Sequence, residues 1–440
     1  EVGYVEMTPV QEASLPGILA GRDVVAQART GSGKTAAFAL GLLSQLDASV
    51  IRLQALVLCP TRELADQVSR EIRRLARFIP NVKVLTLTGG VPLRPHLASL
   101  AHEPHIVVGT PGRILELLEK RALPLQDLKV LVLDEADRML DMGFADAIDA
   151  ILEATPEQRQ TLLFSATLPR SIREISTQYQ RDALDVTVDS EPAEASIEQT
   201  FFEVDPEEKV AALESLLLHY RPETAVVFCN TRNEVRAVAE DLTERGFSVL
   251  SLHGELDQRE REEMLVRFAN RSCTVLVASD VAARGLDITD LAMVINFEIA
   301  SDADTHLHRI GRTGRAGRRG LALSLCSLRE MSRTKVIEQR AGEPLTWRSV
   351  PEHAADAEPL SAPFVTLAVD AGRKDKLRPG DLLGALTGEA GLPGTAVGKI
   401  NVFPTRTYVA IDRGSHMHAI KSLRAGKIKG RTFRIRKIGE

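Results

Sequence analysis

The stretch Ala28-Arg29-Thr30-Gly31-Ser32-Gly33-Lys34-Thr35 constrains this chain more than any other. It lies between an apolar run, Asp23 to Ala28, that reads as a strand and an apolar helical pattern beginning at Thr35. Glycines at 31 and 33 let backbone N–H groups turn inward with no Cβ in the way, and the helix N-terminus behind them favours anions, so the loop suits phosphate oxygens. Lys34 has the reach for β- and γ-phosphates, and the Thr35 hydroxyl suits Mg²⁺. The general pattern asks for Gly where Ala28 stands, a small change in an otherwise complete strand-loop-helix context. Thr30, Gly31, Ser32, Gly33, Lys34 and Thr35 are the candidate nucleotide contacts.

A chain of 440 residues exceeds one ordinary core, and 44% hydrophobic with 26% charged residues is a globular composition rather than a disordered one. No apolar run approaches the ~20 residues of a membrane span, and Glu1 to Glu6 lack a leader pattern, so the expectation is a cytoplasmic chain with no membrane partner. Cys59, Cys229, Cys273 and Cys326 are too scattered for a zinc site and read as reduced core thiols. After the loop, β-rich runs alternate with amphipathic helical patterns: Ala55 to Cys59, Val84 to Leu87, Ile106 to Gly109, Val130 to Asp134, Thr161 to Ser165. That rhythm predicts a parallel sheet wrapped by helices, with functional residues at the carboxyl ends of strands. One run, Val130-Leu131-Val132-Leu133, ends in Asp134-Glu135-Ala136-Asp137. A carboxylate at a strand tip beside a phosphate loop can hold Mg²⁺ through water, and its neighbour can orient or deprotonate an attacking water.

With that tetrad the chain resembles the DEAD-box RNA helicases almost end to end. Gly3 to Gln11 resembles the family's adenine-reading segment, which implies that Gln11 bonds the base. Pro60-Thr61-Arg62-Glu63-Leu64, Gly89-Gly90 and Thr110-Pro111-Gly112-Arg113 resemble its RNA-backbone contacts, naming Pro60, Thr61, Arg62, Gly90, Thr110, Pro111, Gly112 and Arg113 as RNA-binding. Ser165-Ala166-Thr167 resembles the segment that couples ATP hydrolysis to unwinding, so Ser165, Thr167 and Asp137 are the implied coupling residues. The family also stacks an upstream aromatic residue on the adenine. This sequence begins at Glu1, too late to include one, and weaker ATP binding is the expectation for it.

The polar, acidic stretch 189–196 reads as a linker, after which the α/β rhythm restarts without a second phosphate loop: Ala225 to Cys229, Ser248 to Leu252, Thr274 to Ala278, Met293 to Phe297. This half therefore completes a site rather than forming another. By the resemblance, Gln258 and Arg261 touch RNA, Phe228-Cys229-Asn230-Thr231 and Ser279-Asp280 touch RNA or tie a closed state, and Asp287 contacts the ribose. Arg312 and Arg315, within His308-Arg309-Ile310-Gly311-Arg312-Thr313-Gly314-Arg315, are the implied arginine fingers on the γ-phosphate. Catalysis is then expected from Lys34, Asp134, Glu135, Arg312 and Arg315, with ATP and Mg²⁺ as cofactors and Thr35 and Asp134 as the metal's residues.

A second linker, 349–362, carries Pro351 and Pro359, and beyond it the charge changes sign: Phe364 to Glu440 holds 15 Lys and Arg against 6 Asp and Glu, in a chain of net charge −5. A basic module of this kind points to nucleic acid. Its pattern is strand Phe364 to Val369, helix Pro379 to Thr387, strands Gly398 to Val402 and Tyr408 to Asp412, helix His416 to Leu423 and strand Thr432 to Lys437, an RRM-like βαββαβ order. Thr366 and Tyr408 stand where base-stacking aromatics would be, so that face looks weak. The module resembles the C-terminal domain of the DbpA subfamily, which implies a hairpin of 23S ribosomal RNA in precursors of the large subunit as target. On charge, Arg373, Lys374, Lys399, Lys427 and Lys429 are the candidate contacts. The expected architecture is two RecA-like α/β domains with parallel sheets, 1–190 and 197–348, then a small α+β domain, 363–440, acting as a monomeric RNA helicase. The alternatives are a general RNA helicase without ribosomal preference and an ATP-gated RNA clamp.

Overall fold

The computed structural model describes residues 6–28, 31–188, 197–283, 291–314, 319–353 and 356–439. Contacts divide the chain into two units, 1–191 and, apart from 285–287, 192–440.

The first unit is built on seven strands: β1 (Val24–Gln27), β2 (Ala55–Leu58), β3 (Val84–Leu87), β4 (Ile106–Gly109), β5 (Val130–Asp134), β6 (Gln160–Ser165) and β7 (Leu184–Thr187). They lie in the order β3-β4-β2-β5-β6-β1-β7, every pairing parallel. Parallel strands buried on both faces are apolar throughout, and β2 illustrates the consequence: Ala55 and Val57 enter one core, Leu56 and Leu58 the other. The helix after β2 is started by a side-chain cap and buries one stripe. Thr61 Oγ1 accepts from Leu64 N (3.3 Å), and Arg62–Leu75 then turns Leu64, Ala65, Val68 and Ile72 inward.

The second unit repeats the design with β8 (Ile197–Glu203), β9 (Ala225–Cys229), β10 (Val249–Leu252), β11 (Val275–Ser279), β12 (Met293–Asn296), β13 (Gly320–Cys326) and β14 (Trp347–Arg348), ordered β10-β11-β9-β12-β13-β8-β14, again all parallel. A smaller antiparallel sheet follows: β15 (Phe364–Val369), β16 (Val397–Val402), β17 (Thr407–Asp412) and β18 (Ile435–Lys437), in the order β16-β17-β15-β18. The expected fold class therefore holds: two parallel sheets in tandem and a small α+β domain.

Of the two expected linkers, only part of the second can be compared with the structure, and that part is more ordered than expected. The expected linker 189–196 lies outside the described residues. In the second linker, the described part after 355 is packed down: Leu360 is 7% exposed within the core of the second parallel sheet, Leu360 O accepts from Ser248 N (3.2 Å) and Ala362 O from Arg413 Nε (2.5 Å). Leu360 and Ala362 are buried, and Ala357 packs on the same core as Leu360, which gives the segment a place to dock. All four cysteines are buried and free, and burial raises their thiols, Cys273 to about 12, which makes them inert packing groups.

Candidate functional site

The carboxyl ends of β1, β5 and β6 meet at the phosphate loop. Lys34 opens the helix Lys34–Ser44, is 5% exposed, and donates from Nζ to Ala28 O (2.8 Å). Its cap, Gly33, sits at φ +93, and a Cβ there would lie 2.5 Å from Gln11 Nε2. Glycine is needed at 33 for conformation and for space. Gln11 is 4% exposed and donates to Gly33 O (3.0 Å) while its Oε1 accepts from Thr8 N (3.0 Å), so it braces the loop from the preceding helix. Gly31, Ser32 and Thr35 are in place around it; Thr30, Asp287 and Arg315 fall outside the described residues.

Asp134, at the tip of β5, is 2% exposed. Burial pushes its carboxyl up to about 7, against the opposing charge of Lys34, and its Oδ1 finds no hydrogen-bond partner. A buried carboxyl with an unpaired oxygen is satisfied by a proton or by a cation, and hard oxygen donors at a phosphate loop fit Mg²⁺. Glu135 follows in a left-handed conformation (φ +53, ψ 52), and its Oε2 accepts from Arg138 Nη1 at 2.8 Å. Asp137 binds the next strand end: Oδ2 accepts from Thr167 N (2.9 Å) and Thr167 Oγ1 (2.8 Å), and its own N donates to Ser165 Oγ (3.2 Å). The three implied coupling residues are one hydrogen-bonded set.

The implied RNA contacts of the first unit converge at the ends of β2, β3 and β4. Gly89 N donates to Thr110 Oγ1 (3.3 Å), and Gly90, at φ +66, leaves its Cβ side to the Arg62 guanidinium. Pro60, Thr61, Pro111 and Gly112 flank this cluster as strand-end and first-turn residues, with the Thr61 hydroxyl committed to its cap. Arg113 differs from an exposed phosphate contact. It is 7% exposed and bonds Val91 O (2.8 Å), His96 Nδ1 (2.6 Å) and Glu116 (3.0 Å), which places it beneath the Gly89-Gly90 turn as a brace.

In the second unit one residue given no role by the sequence stands out. Arg309 is 1% exposed and delivers its guanidinium to five acceptors: Asp280 Oδ1 and Oδ2 (2.7 Å each), Asn230 Oδ1 (2.7 Å), Glu298 O (2.7 Å) and Asn296 Oδ1 (3.3 Å). Five N–H donors meet five acceptors, which offsets the cost of burying the charge. The helix Ala303–Ile310 is thereby pinned to the ends of β9, β11 and β12, and Arg312, 6% exposed, follows its last turn. Nothing in the sequence joins Arg309 to Asn230 and Asp280; only the fold does. Gln258 opens the helix Gln258–Ala269, and Arg261 on it donates to Ala282 O (2.9 Å).

That helix also carries the small domain. Glu263 accepts from Arg436 Nη2 (2.8 Å), Arg406 Nη1 (3.1 Å) and Tyr408 OH (3.2 Å), and Val266 packs with Ala368, Tyr408 and Ile438. Thr366 and Tyr408 are each 1% exposed, with Thr366 Oγ1 2.7 Å from Ser272 Oγ, so the sheet face expected to be weak for stacking is covered by this contact. The charged candidates lie elsewhere. Arg373 and Lys374 are exposed on a turn that Gly372 seats against the 403–406 loop, where a Cβ would meet Phe403 O at 2.2 Å. Lys427 is exposed, and Lys429 ties its loop to that turn through Lys376 O (3.1 Å) and Asp381 (3.4 Å). Lys399 is exposed on the edge strand β16.

Three known families match in series: DEAD/DEAH box helicase over 8–175, Helicase conserved C-terminal domain over 208–317 and DbpA RNA binding domain over 366–437. The chain is 55% identical to the ATP-dependent RNA helicase DbpA of Escherichia coli, over 99% of this chain and 95% of that protein. It is 34% identical to DbpA of Bacillus subtilis, with the same two coverages. Among solved structures it is similar to S. cerevisiae Dbp5 bound to RNA and ADP BeF3, at 28% identity and a TM-score of 0.68, over 78% of this chain and 90% of that one.

Proposed function

The chain belongs to the DEAD-box ATP-dependent RNA helicases of the DbpA type, and on that premise we propose that it opens short duplexes in 23S ribosomal RNA during assembly of the large ribosomal subunit. The observation that carries the chemistry is the buried Asp134, with its unpaired Oδ1, beside Lys34 at the phosphate loop. Gln11 holds the adenine and the loop together, Thr30 to Thr35 cradle the phosphates, and Asp287 holds the ribose. Asp134 and Thr35 would hold Mg²⁺, which when bound offsets phosphate charge. Glu135 takes the proton of the attacking water, and Arg312 and Arg315 stabilise the charge that develops on the transferred group. Asp137, Ser165 and Thr167 pass the change at the phosphates to the RNA loops. Pro60, Thr61, Arg62, Gly90, Thr110, Pro111, Gly112, Gln258 and Arg261 form the backbone-binding surface, with Arg113 shaping it.

The small domain supplies the address. Its Arg373, Lys374, Lys399 and Lys427 meet RNA phosphates, and Lys429 holds two of their loops together. In an unwinding assay, a short duplex next to a 23S hairpin fragment is expected to open about tenfold faster than the same duplex without it. Charge reversal at Arg373, Lys374 and Lys427 is expected to erase the difference. Equal rates for both substrates with the unaltered chain would remove the ribosomal address and leave a general RNA helicase.

A further inference from the structure

We propose that Arg138 is a positioning residue for ATP hydrolysis that acts through the carboxylate of Glu135. The proposal rests on the reading of Glu135 as the group that takes the water's proton. Three observations carry it. Glu135 is held in a left-handed backbone conformation, φ +53, that a glutamate adopts only when its surroundings fix it. Arg138, one turn further along the helix Ala136–Asp141, reaches back to Glu135 Oε2 at 2.8 Å, and both side chains are 5% exposed. Arg138 is itself anchored, since its backbone N donates to Asp137 Oδ1 (3.0 Å), the carboxylate whose other oxygen binds Thr167. Arg138 thus holds Glu135 through its guanidinium while its backbone is tied to Asp137, the carboxylate that binds Thr167.

The chemistry requires such a fixture. During hydrolysis the water oxygen bonds to the γ-phosphorus, the bond from that phosphorus to the bridging oxygen breaks, ADP leaves, and the water's proton passes to Glu135. Arginine stays protonated throughout and cannot intercept that proton. By holding Oε2 it limits the carboxylate to one orientation, which a flexible three-torsion side chain would otherwise have to find at each turnover. Lysine at 138 keeps the charge but offers a point donor on a different span.

The test is RNA-saturated steady-state ATP hydrolysis by the full chain as Arg138→Met, Arg138→Lys, Glu135→Gln and the double variant Arg138→Met/Glu135→Gln, with thermal melting as a control for folding. Arg138→Met is expected to lose about ten- to a hundredfold in kcat with KM for ATP and for RNA unchanged. Arg138→Lys is expected to recover part of the loss, and in the Glu135→Gln background Arg138→Met is expected to cost nothing more. Should Arg138→Met fail to fold, Arg138→Lys with and without Glu135→Gln carries the same comparison. Unchanged kcat, or an equal fold loss in both backgrounds, overturns the positioning role while leaving Glu135 in place. Wild-type turnover by Glu135→Gln removes the reading of Glu135 itself.

Discussion

Asp134 keeps a carboxyl buried at the phosphate loop with one oxygen unsatisfied, at a desolvation cost that the Lys34 charge offsets in part. His306 pays a similar cost with no ligand in view. It is 1% exposed, stacks on Phe201, and bonds Gln199 Oε1 (3.1 Å) through Nε2, while Nδ1 has no partner. Burial, with help from the Arg309 charge, lowers its pKa to about 4 from an ordinary 6.5. Its folded value is the depressed one, so its neutral form supports folding above pH 6.5, and that support is lost as pH falls toward 4, by about 3 kcal/mol in all. Thermal midpoints of the wild type and His306→Asn, compared from pH 7.5 to 4.5, are expected to converge or cross as the pH falls. A constant difference would contradict this. At this scale the sequence singled out candidates whose pattern is local: Lys34, Asp134 and Glu135 follow from a loop and a strand tip a few residues long. It gave Arg309 no role and named Arg113 only by resemblance, because whether an arginine meets solvent or buried acceptors depends on strands up to 79 residues away.

Among the elements, the helix Gln258–Ala269 serves two surfaces. Its first residues, Gln258 and Arg261, are implied RNA contacts, and Glu263 and Val266 hold the small domain. Burial alone would raise Glu263, but the bond and charge of Arg436, with Tyr408 and Arg259, outweigh it and hold its pKa below the usual 4.5. The depressed value makes this contact fully effective above pH 4.5 and progressively weaker below. Glu263→Ala is expected to weaken docking by about 1–3 kcal/mol, since it strips one acceptor from two arginines and a phenol. Faster hydrogen exchange in β15 and β17 would report it, and unchanged exchange would show that apolar packing alone holds the contact. None of this was legible beforehand. Apolar runs located most strands, yet β7, with one buried residue in four, and β13, which follows a Gly- and Arg-rich stretch, gave weaker patterns. The Glu263 contact depends on side chains 143 to 173 residues apart that no periodicity links.

For the whole molecule, ATP and RNA act on one machine only if each ligand favours the state the other needs, which makes their binding reciprocal. The order of domains was legible because each half repeats the strand-helix rhythm and the tail reverses the charge. The docking of the tail was not, and it decides how the address should be tested. Cutting the chain at Pro363 would uncover Val266 and leave Glu263 without Arg406, Tyr408 and Arg436, so charge reversal on the exposed turn is the cleaner perturbation. The most direct measurement is steady-state ATP hydrolysis with no RNA, with an unrelated RNA and with a 23S fragment carrying the hairpin, for the wild type and for Arg373→Glu/Lys374→Glu/Lys427→Glu. Strong stimulation by the 23S fragment alone, lost in the charge-reversed chain, is the expected result. Equal stimulation of both proteins by every RNA would contradict it.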